Sequence, residues 1–184
     1  MGTEQDVLQA ADDDEDDQDL QAHKYLTFAL VDEQYGIKIA HVVEIIGMQR
    51  VTPVPEVPAY IRGVINLRGK VIPVVDLRLK FGMSKTEKSV NTCIIITEVT
   101  VDNETTILGA LADSVQEVMD LEADHISPAP KIGTRLNTEF IKGMGRHNDR
   151  FIIILDIDKV FSTSELAMVQ DTQAASTEAT SGNQ

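Results

Sequence analysis

Two aspartates, Asp76 and Asp156, each follow a strongly apolar run, Val71 to Val75 in the first case and Phe151 to Leu155 in the second. Paired carboxylates can do general acid and base work. An Asp at a strand-to-helix junction is also an N-cap, which accounts for both residues without a catalytic site. His23, His41, His125 and His147 share no short metal-ligand spacing, and no His-Glu-x-x-His pair occurs. Cys93 opens the run Cys93-Ile94-Ile95-Ile96, whose character is that of a buried strand, so it reads as a packed thiol rather than a nucleophile. Ser84, Ser89 and Ser114 lack the Gly-x-Ser-x-Gly elbow. No catalytic constellation stands out, and neither a metal nor a cofactor is expected. Glu44 and Arg68 draw notice instead, as charges inside the apolar segments Val42-Val43-Glu44-Ile45-Ile46 and Ile65-Asn66-Leu67-Arg68. Alternation could turn them to solvent, or they could pair across a groove, and pattern alone leaves both readings open.

The elements that position these residues are mostly short strands. Tyr25 to Val31 and Tyr35 to Ile39 suggest a hairpin turning at Asp32-Glu33-Gln34. Val64 to Leu67 and Val71 to Val75 flank Arg68-Gly69-Lys70, with Gly69 as the turn glycine. Cys93 to Val99 and Thr106 to Ala112 flank Asp102-Asn103-Glu104. Phe151 to Leu155 is predicted as a strand buried on both faces. Helix is expected in three places: Ile39 to Ile46 from its apolar spacing, one turn over Asp76 to Phe81, and a C-terminal helix over Asp156 to Val169. Many short strands with few helices predict a mainly β barrel or sandwich.

The chain has 184 residues, with 30 Asp and Glu against 16 Lys and Arg, a formal net charge of −14. Such a balance disfavours non-specific binding to nucleic acid and docking on an anionic membrane. The charge is uneven. Residues 1–22 carry nine acids and no Lys or Arg, including the unbroken run Asp12 to Asp17, and residues 170–184 carry Asp171 and Glu178 alone. Such self-repelling or low-complexity ends are expected to be a disordered arm and tail, leaving 23–169 as the folded part. The single cysteine excludes an internal disulfide framework, and aromatics at 4% predict an aliphatic core. No run approaches the roughly 18 residues of a spanning helix, so a cytoplasmic protein without direct membrane insertion is expected.

The chain also repeats itself. At an offset of 80 residues, Tyr60 to Phe81 lies over Phe140 to Phe161, matching Ile61, Gly63, Ile72, Asp76 and Phe81 with Ile141, Gly143, Ile152, Asp156 and Phe161. Arg62 meets Lys142, and Lys70 meets Arg150. A fainter match sets Val42, Glu44 and Ile45 against Val115, Glu117 and Val118, and Pro53-Val54-Pro55 against Pro128-Ala129-Pro130. Each half then reads, in chain order, as strands, a Val-x-Glu-apolar segment, a Pro-x-Pro connection and a final hairpin. Two similar small barrels sharing an interface follow, because a module of about 60 residues buries little surface alone. Gly63 and Gly143 fit places where another backbone passes too close for a Cβ. Neither borders a phosphate-binding pattern.

Tyr60 to Gly82, containing Gly-Val-Ile-Asn-Leu-Arg-Gly and then Ile-Pro-Val-Val-Asp-Leu, resembles the CheW family of chemotaxis coupling proteins. Further matching pieces follow the same order: Tyr-Gly-Ile-Lys-Ile at 35–39, Val-Val-Glu-Ile-Ile at 42–46, residues 52–63, residues 111–118 and Ile-Ser-Pro-Ala-Pro at 126–130. The resemblance implies two SH3-like five-stranded β subdomains with a core between them. It implies an adaptor, not an enzyme, linking the cytoplasmic tip of methyl-accepting chemoreceptors to the regulatory domain of the histidine kinase CheA, with possible ring contacts to other CheW-like domains. Carried over by motif, the receptor groove comprises Val42, Glu44, Ile45, Arg62, Arg68, Val115 and Val118, with Arg68 paired to Glu44. Kinase contacts fall on Gly36, Ile37, Lys38 and Ile39 and near Gly47 in the first subdomain, and on Met144 and Arg146 of the 140–150 hairpin in the second.

Related adaptors serve pilus-motility or surface-sensing arrays, which the sequence does not separate. A small-ligand or nucleic-acid-binding double barrel is the reading from another class. It needs stacking aromatics and basic grooves, and five Phe with three Tyr, mostly inside apolar runs, supply neither.

Overall fold

The computed structural model describes residues 22–128, 138–161 and Ala167. The acidic arm, apart from Ala22, and the tail lie outside the described residues. Among the described residues, eleven strands form two sheets. The first five-stranded sheet runs β3 (Val42–Gly47), β6 (Cys93–Val101), β7 (Glu104–Ala112), β5 (Lys70–Asp76), β4 (Ile61–Leu67). The second runs β8 (Ser114–Asp120), β1 (Lys24–Leu30), β2 (Glu33–Lys38), β11 (Arg150–Leu155), β10 (Ile141–His147), β9 (Ile126–Ser127). The mainly β fold is as the sequence predicts.

The two sheets are versions of one another. In each, an antiparallel hairpin (β6–β7 or β1–β2) is flanked on one side by an edge strand (β3 or β8). On the other side it pairs in parallel with the last strand of a second hairpin, β5 against β7 and β11 against β2. Even the outermost pairing recurs: Thr52 bridges Val64, and Ser127 pairs with Met144, their repeat counterparts.

The halves are not consecutive, however. Chain order would group β1 and β2 with β3, β4 and β5, whereas the β1–β2 hairpin completes the sheet made by β8 to β11. The chain begins in one sheet, builds the whole of the other, and returns. Asp113, at the return between β7 and β8, fastens the crossing. Its N–H donates to Ala29 O at 3.1 Å, and its Oδ2 accepts from Val31 N at 2.6 Å and from the Arg78 guanidinium.

Strand alternation divides the apolar residues among three cores. Ile94 and Ile96 of β6 face a small core inside the first sheet with Ile65, Ile72 and Val74, and Ile152 and Ile154 of β11 face another inside the second sheet with Tyr25 and Met119. The intervening Cys93 and Ile95, and Ile153 and Leu155, turn the other way into a large shared core between the sheets. Residues 152–155 are buried on both faces as predicted, but Phe151 stands 63% exposed at the strand's start. That shared core is not purely aliphatic. Phe28 stacks on Tyr35 at 5.9 Å, Tyr35 on Phe81 at 6.1 Å, and Phe81 meets Phe140 at 6.1 Å, so the few aromatics are concentrated at the joint.

Three hairpins close with two-residue turns whose residues are all left-handed, Arg68-Gly69, Asp102-Asn103 and Asn148-Asp149. This conformation matches the strand twist and favours Asn, Asp and Gly. The first hairpin turns at Val31-Asp32, shorter than the three-residue turn expected.

The Asp76 to Phe81 turn forms α1 (Leu77–Lys80), capped by the Asp76 carboxylate. The continuous helix expected over Asp156 to Val169 does not form: α2 (Ile157–Val160) is a single turn ended by Phe161, whose φ of −115° and ψ of 140° are extended, and beyond it only the helical Ala167 is among the described residues. Ile39 to Ile46 is not a helix. A single 3-10 turn, Ile39–His41, leads into β3. A bulge causes the helical look, because Val42 pairs with Thr97 while Glu44 pairs with Ile96. The extra residue breaks the two-residue period and puts Val42 and Ile45, three apart, on one face.

Candidate functional site

The same irregularity recurs at the matching edge of the other sheet. Val115 pairs with Phe28 and Val118 with Leu26, so three residues of β8 span what two residues of β1 span. Directly paired residues share a face. Leu26 and Phe28 face the shared core, and so therefore do Val118 and Val115; Ile95 likewise fixes the side of Ile45. Val42 and Val115 pack against the shared core, while Ile45 and Val118 remain 43% and 50% exposed. Four apolar side chains on two equivalent edge strands thus face the space between the sheets. Thr27 holds the second bulge in shape: its fully buried hydroxyl donates to Glu117 O at 2.9 Å and lies 3.2 Å from Glu117 N, whose hydrogen it accepts. A lone Thr within the apolar run Tyr25 to Leu30 was the available signal, and it passes unnoticed in sequence.

Glu44 points to the opposite side of β3 from Ile45 and meets Arg68. The guanidinium donates from Nη1 to Oε1 at 2.6 Å and from Nη2 to Oε2 at 2.9 Å, a two-pronged pair. Arg68 reaches it from the left-handed first position of the β4–β5 turn, with φ of 51°. Arg68 is open to solvent and Glu44 half-buried, and the arginine's hydrogen bonds, more than its charge alone, hold the Glu44 carboxyl below the ordinary range. Beside them lies a depression of about 220 Å³ lined by Val43, Leu67, Val71, Ile72, Ile96 and Ile107. Exposed apolar surface and a preformed ion pair therefore adjoin along β3.

Arg62 does not join them. Its Nη1 donates to Asp76 Oδ2 at 3.0 Å. Asp76 is fully buried, and its carboxylate also accepts from the N–H of Arg78, Leu79 and Thr86 and from the Thr86 hydroxyl at 2.7 Å. Arg62 therefore neutralises a buried carboxylate, a structural task.

The residues expected at a kinase contact divide as well. Gly36 and Ile37 are buried inside β2, where a Cβ on Gly36 would lie 3.0 Å from Ile154 Cδ1, so neither can meet a partner directly. They and the half-buried Lys38 belong to the sheet that holds Met144 and Arg146, not to a first subdomain with Gly47. Gly47 lies exposed on β3, Ile39 and Met144 are half-buried against the shared core, and Arg146 is exposed and paired with Asp149 at 3.1 Å. Sequence reasoning gave Lys80 no role: its Nζ sits 4.6 Å from the Tyr60 ring and 5.8 Å from the Phe140 and Phe161 rings, touching both repeats at the joint.

The glycines of the repeat have a steric duty. A Cβ on Gly63 would lie 2.1 Å from Thr52 O, and one on Gly143 would lie 2.7 Å from Ser127 O and 2.5 Å from Ile126 Cγ2. Each lets the incoming segment cross the bulge where β4 or β10 bends. Among the described residues no cluster of His, Cys, Asp or Glu could hold a metal, and no helix is long and apolar enough to cross a membrane.

Two interlocked β sheets, each with a half-exposed apolar residue on a bulged edge strand, make a β module with apolar surface at its edges. A CheW-like domain model matches residues 24–165. The chemotaxis protein CheW of Klebsiella aerogenes is 37% identical over 148 residues, covering 80% of this chain and 87% of its own. That of Rhizobium meliloti is 34% identical over 140 residues, 76% and 88%. Among solved structures, the scaffolding protein TtCheW from Thermoanaerobacter tengcongensis matches with a TM-score of 0.68 at 36% identity, covering 78% of this chain and 90% of that one. The chain belongs to the CheW-like domain family, and its role is that of a chemotaxis scaffold coupling signalling components.

Proposed function

We propose that the protein joins the cytoplasmic tip of a methyl-accepting chemoreceptor to the regulatory domain of the histidine kinase CheA, and so places kinase activity under receptor control at membrane-associated arrays. The observation that carries this reading is the pair of bulged edge strands. Val42 and Val115 supply a packed floor and Ile45 and Val118 an exposed rim, a surface suited to the apolar stripe of a helix laid between the sheets. The Arg68–Glu44 pair stands on the other face of the same edge strand β3, where an exposed charge would set register and encounter more than affinity. The kinase contact falls on the accessible members of the expected set, Lys38, Ile39, Gly47, Met144 and Arg146. A further CheW-like domain could occupy an equivalent contact and extend a ring. Nothing in this role needs a covalent step by the chain itself.

The test is binding of the full chain to a receptor signalling fragment and to the CheA regulatory domain, measured separately. Binding to both supports the adaptor. Failure to bind either one, by a protein that melts as a folded domain, contradicts it.

A further inference from the structure

The fold packs four of its five phenylalanines. Phe28, Phe81 and Phe161 lie in the shared core and Phe140 packs against it, whereas Phe151 stands 63% exposed at the start of β11. Its repeat counterpart, Val71, is half-buried. Beside Phe151 lies a depression of about 500 Å³ lined in part by Met144, Ile153, Asp32 and Glu33. Phe151 sits at the pole of the sheet where the Val31-Asp32 and Asn148-Asp149 turns lie. The chain enters β1 beside Lys38, enters β10 at Ile141 and leaves β11 at Leu155, all at the opposite pole. The stretches outside the described residues therefore join the fold at the other end of these strands.

Charge is divided about the exposed ring. Gln34 pairs with Ile152, which sets Glu33, and Asp32 before it in the turn, on the β2 side of Phe151. Glu33 is held by the Tyr35 hydroxyl, which donates to its Oε2 at 3.0 Å, while Asp32 has no ion pair among the described residues. On the other side Arg146 of β10 pairs directly with Phe151 and so shares its face. Arg146 is exposed, and its contact with Asp149, at 3.1 Å, engages Nη2 alone. An acid on one side of an exposed aromatic ring and a base on the other make a self-complementary patch. A two-fold axis running along β11 at Phe151 turns each acid toward the other copy's base.

We propose that Phe151 anchors a two-fold contact between two copies of this chain, its ring and the depression beside it closing on those of the other copy, with Asp32 of each meeting Arg146 of the other. A lone surface apolar residue is ordinary, but here it adjoins an apolar depression and is flanked by opposite charges. The ring supplies buried area and the charges fix orientation. The net charge of −14 opposes association in general, so the contact is weak and concentration-dependent. Met144 and Arg146 also stand in the surface proposed for the kinase, and self-association would hide them from it. That consequence rests on the kinase reading, whereas the association itself is measured on this chain alone.

The test is sedimentation equilibrium of the full chain between about 5 and 300 μM, the range of a small transient contact, at about 0.15 M salt. Wild type is expected to shift from monomer toward dimer across that range, and Phe151→Asp to weaken the association at least about tenfold. Asp32→Lys and Arg146→Glu are each expected to weaken it at least about threefold, since the contact contains the pair twice. Combining them is expected to restore association tighter than either single variant shows. Melting curves establish that the variants are folded; if Phe151→Asp fails to fold, Phe151→Ser and the charge variants decide. Monomer at every concentration overturns the proposal. So does association that a folded Phe151 variant leaves unchanged, which would place the contact on another surface, and so does a combined variant no tighter than either single one.

Discussion

Ile45 and Val118 occupy the same point on two different sheets, each three residues after a valine that faces the same way across a bulge. Both are about half exposed, so replacing each with Asp removes little packing, and stability is expected to stay within about 1 kcal/mol of wild type. The charges would face the groove rather than the core. The Ile45→Asp, Val118→Asp double variant is expected to lose at least about tenfold in affinity for a receptor signalling fragment, the scale of an interface anchor. Calorimetric titration beside a thermal melt checks this, and a folded variant with unchanged affinity removes the groove from the contact.

Arg68→Ala is expected to weaken receptor binding or kinase activation while leaving the melting temperature nearly unchanged, because its two-pronged partner Glu44 is solvent-accessible. Comparable losses in binding and in melting would make Arg68 a structural residue instead.

The same pair makes a pH prediction. Arg68 lowers the folded-state pKa of Glu44, so its stabilising contribution is present above the ordinary glutamate value and is lost as pH falls through the lowered value. A carboxyl-carbon NMR titration is expected to show Glu44 titrating below the ordinary range, and returning to it in Arg68→Met.

How much of this was readable in advance depended on which physical signal each residue carried. The 80-residue repeat and the alternation of Ile94 to Ile96 and Ile152 to Leu155 are local signals, and they lead correctly to paired sheets with a core between them. The bulge at Val42 to Glu44 hides a strand behind helical spacing, because one extra residue converts a period of two into a step of three. Placement of β1 and β2 in the other sheet leaves no local trace at all. Parallel pairing such as Gly36 with Ile154 is set by the whole topology, and a residue exposed in a simple hairpin becomes buried between neighbours. Arg62, carried to the groove by motif, instead meets Asp76 across a hairpin, and another of that carboxylate's partners, Thr86, comes from a loop with no pattern.

Glycine substitutions separate the close crossing from the turn. Gly63→Ala is expected to cost about 3 kcal/mol or more, since its Cβ would lie 2.1 Å from Thr52 O at a φ of +140°. Gly69→Ala, at φ +83° with open space around it, is expected to cost only about 1 kcal/mol. Denaturant titration of the two variants checks the order; equal costs would refute the steric account.

Cys93 provides a probe of the joint. Burial, ahead of the nearby Asp113 charge, raises its thiol above the ordinary range, with a backbone hydrogen bond at Val115 acting against that rise. Native protein at neutral pH is expected to resist a thiol-disulfide reagent, and to react as denaturant opens the core between the sheets.

The central claim is that this chain couples receptor to kinase. Its most direct measurement is CheA autophosphorylation in a reconstituted system of receptor-bearing membranes and kinase, with and without the protein. The account predicts kinase activity that responds to receptor ligand only when the protein is present, and that fails with the folded Ile45→Asp, Val118→Asp variant. Ligand-responsive activity of the same size without the protein, or undiminished with that variant, would contradict it.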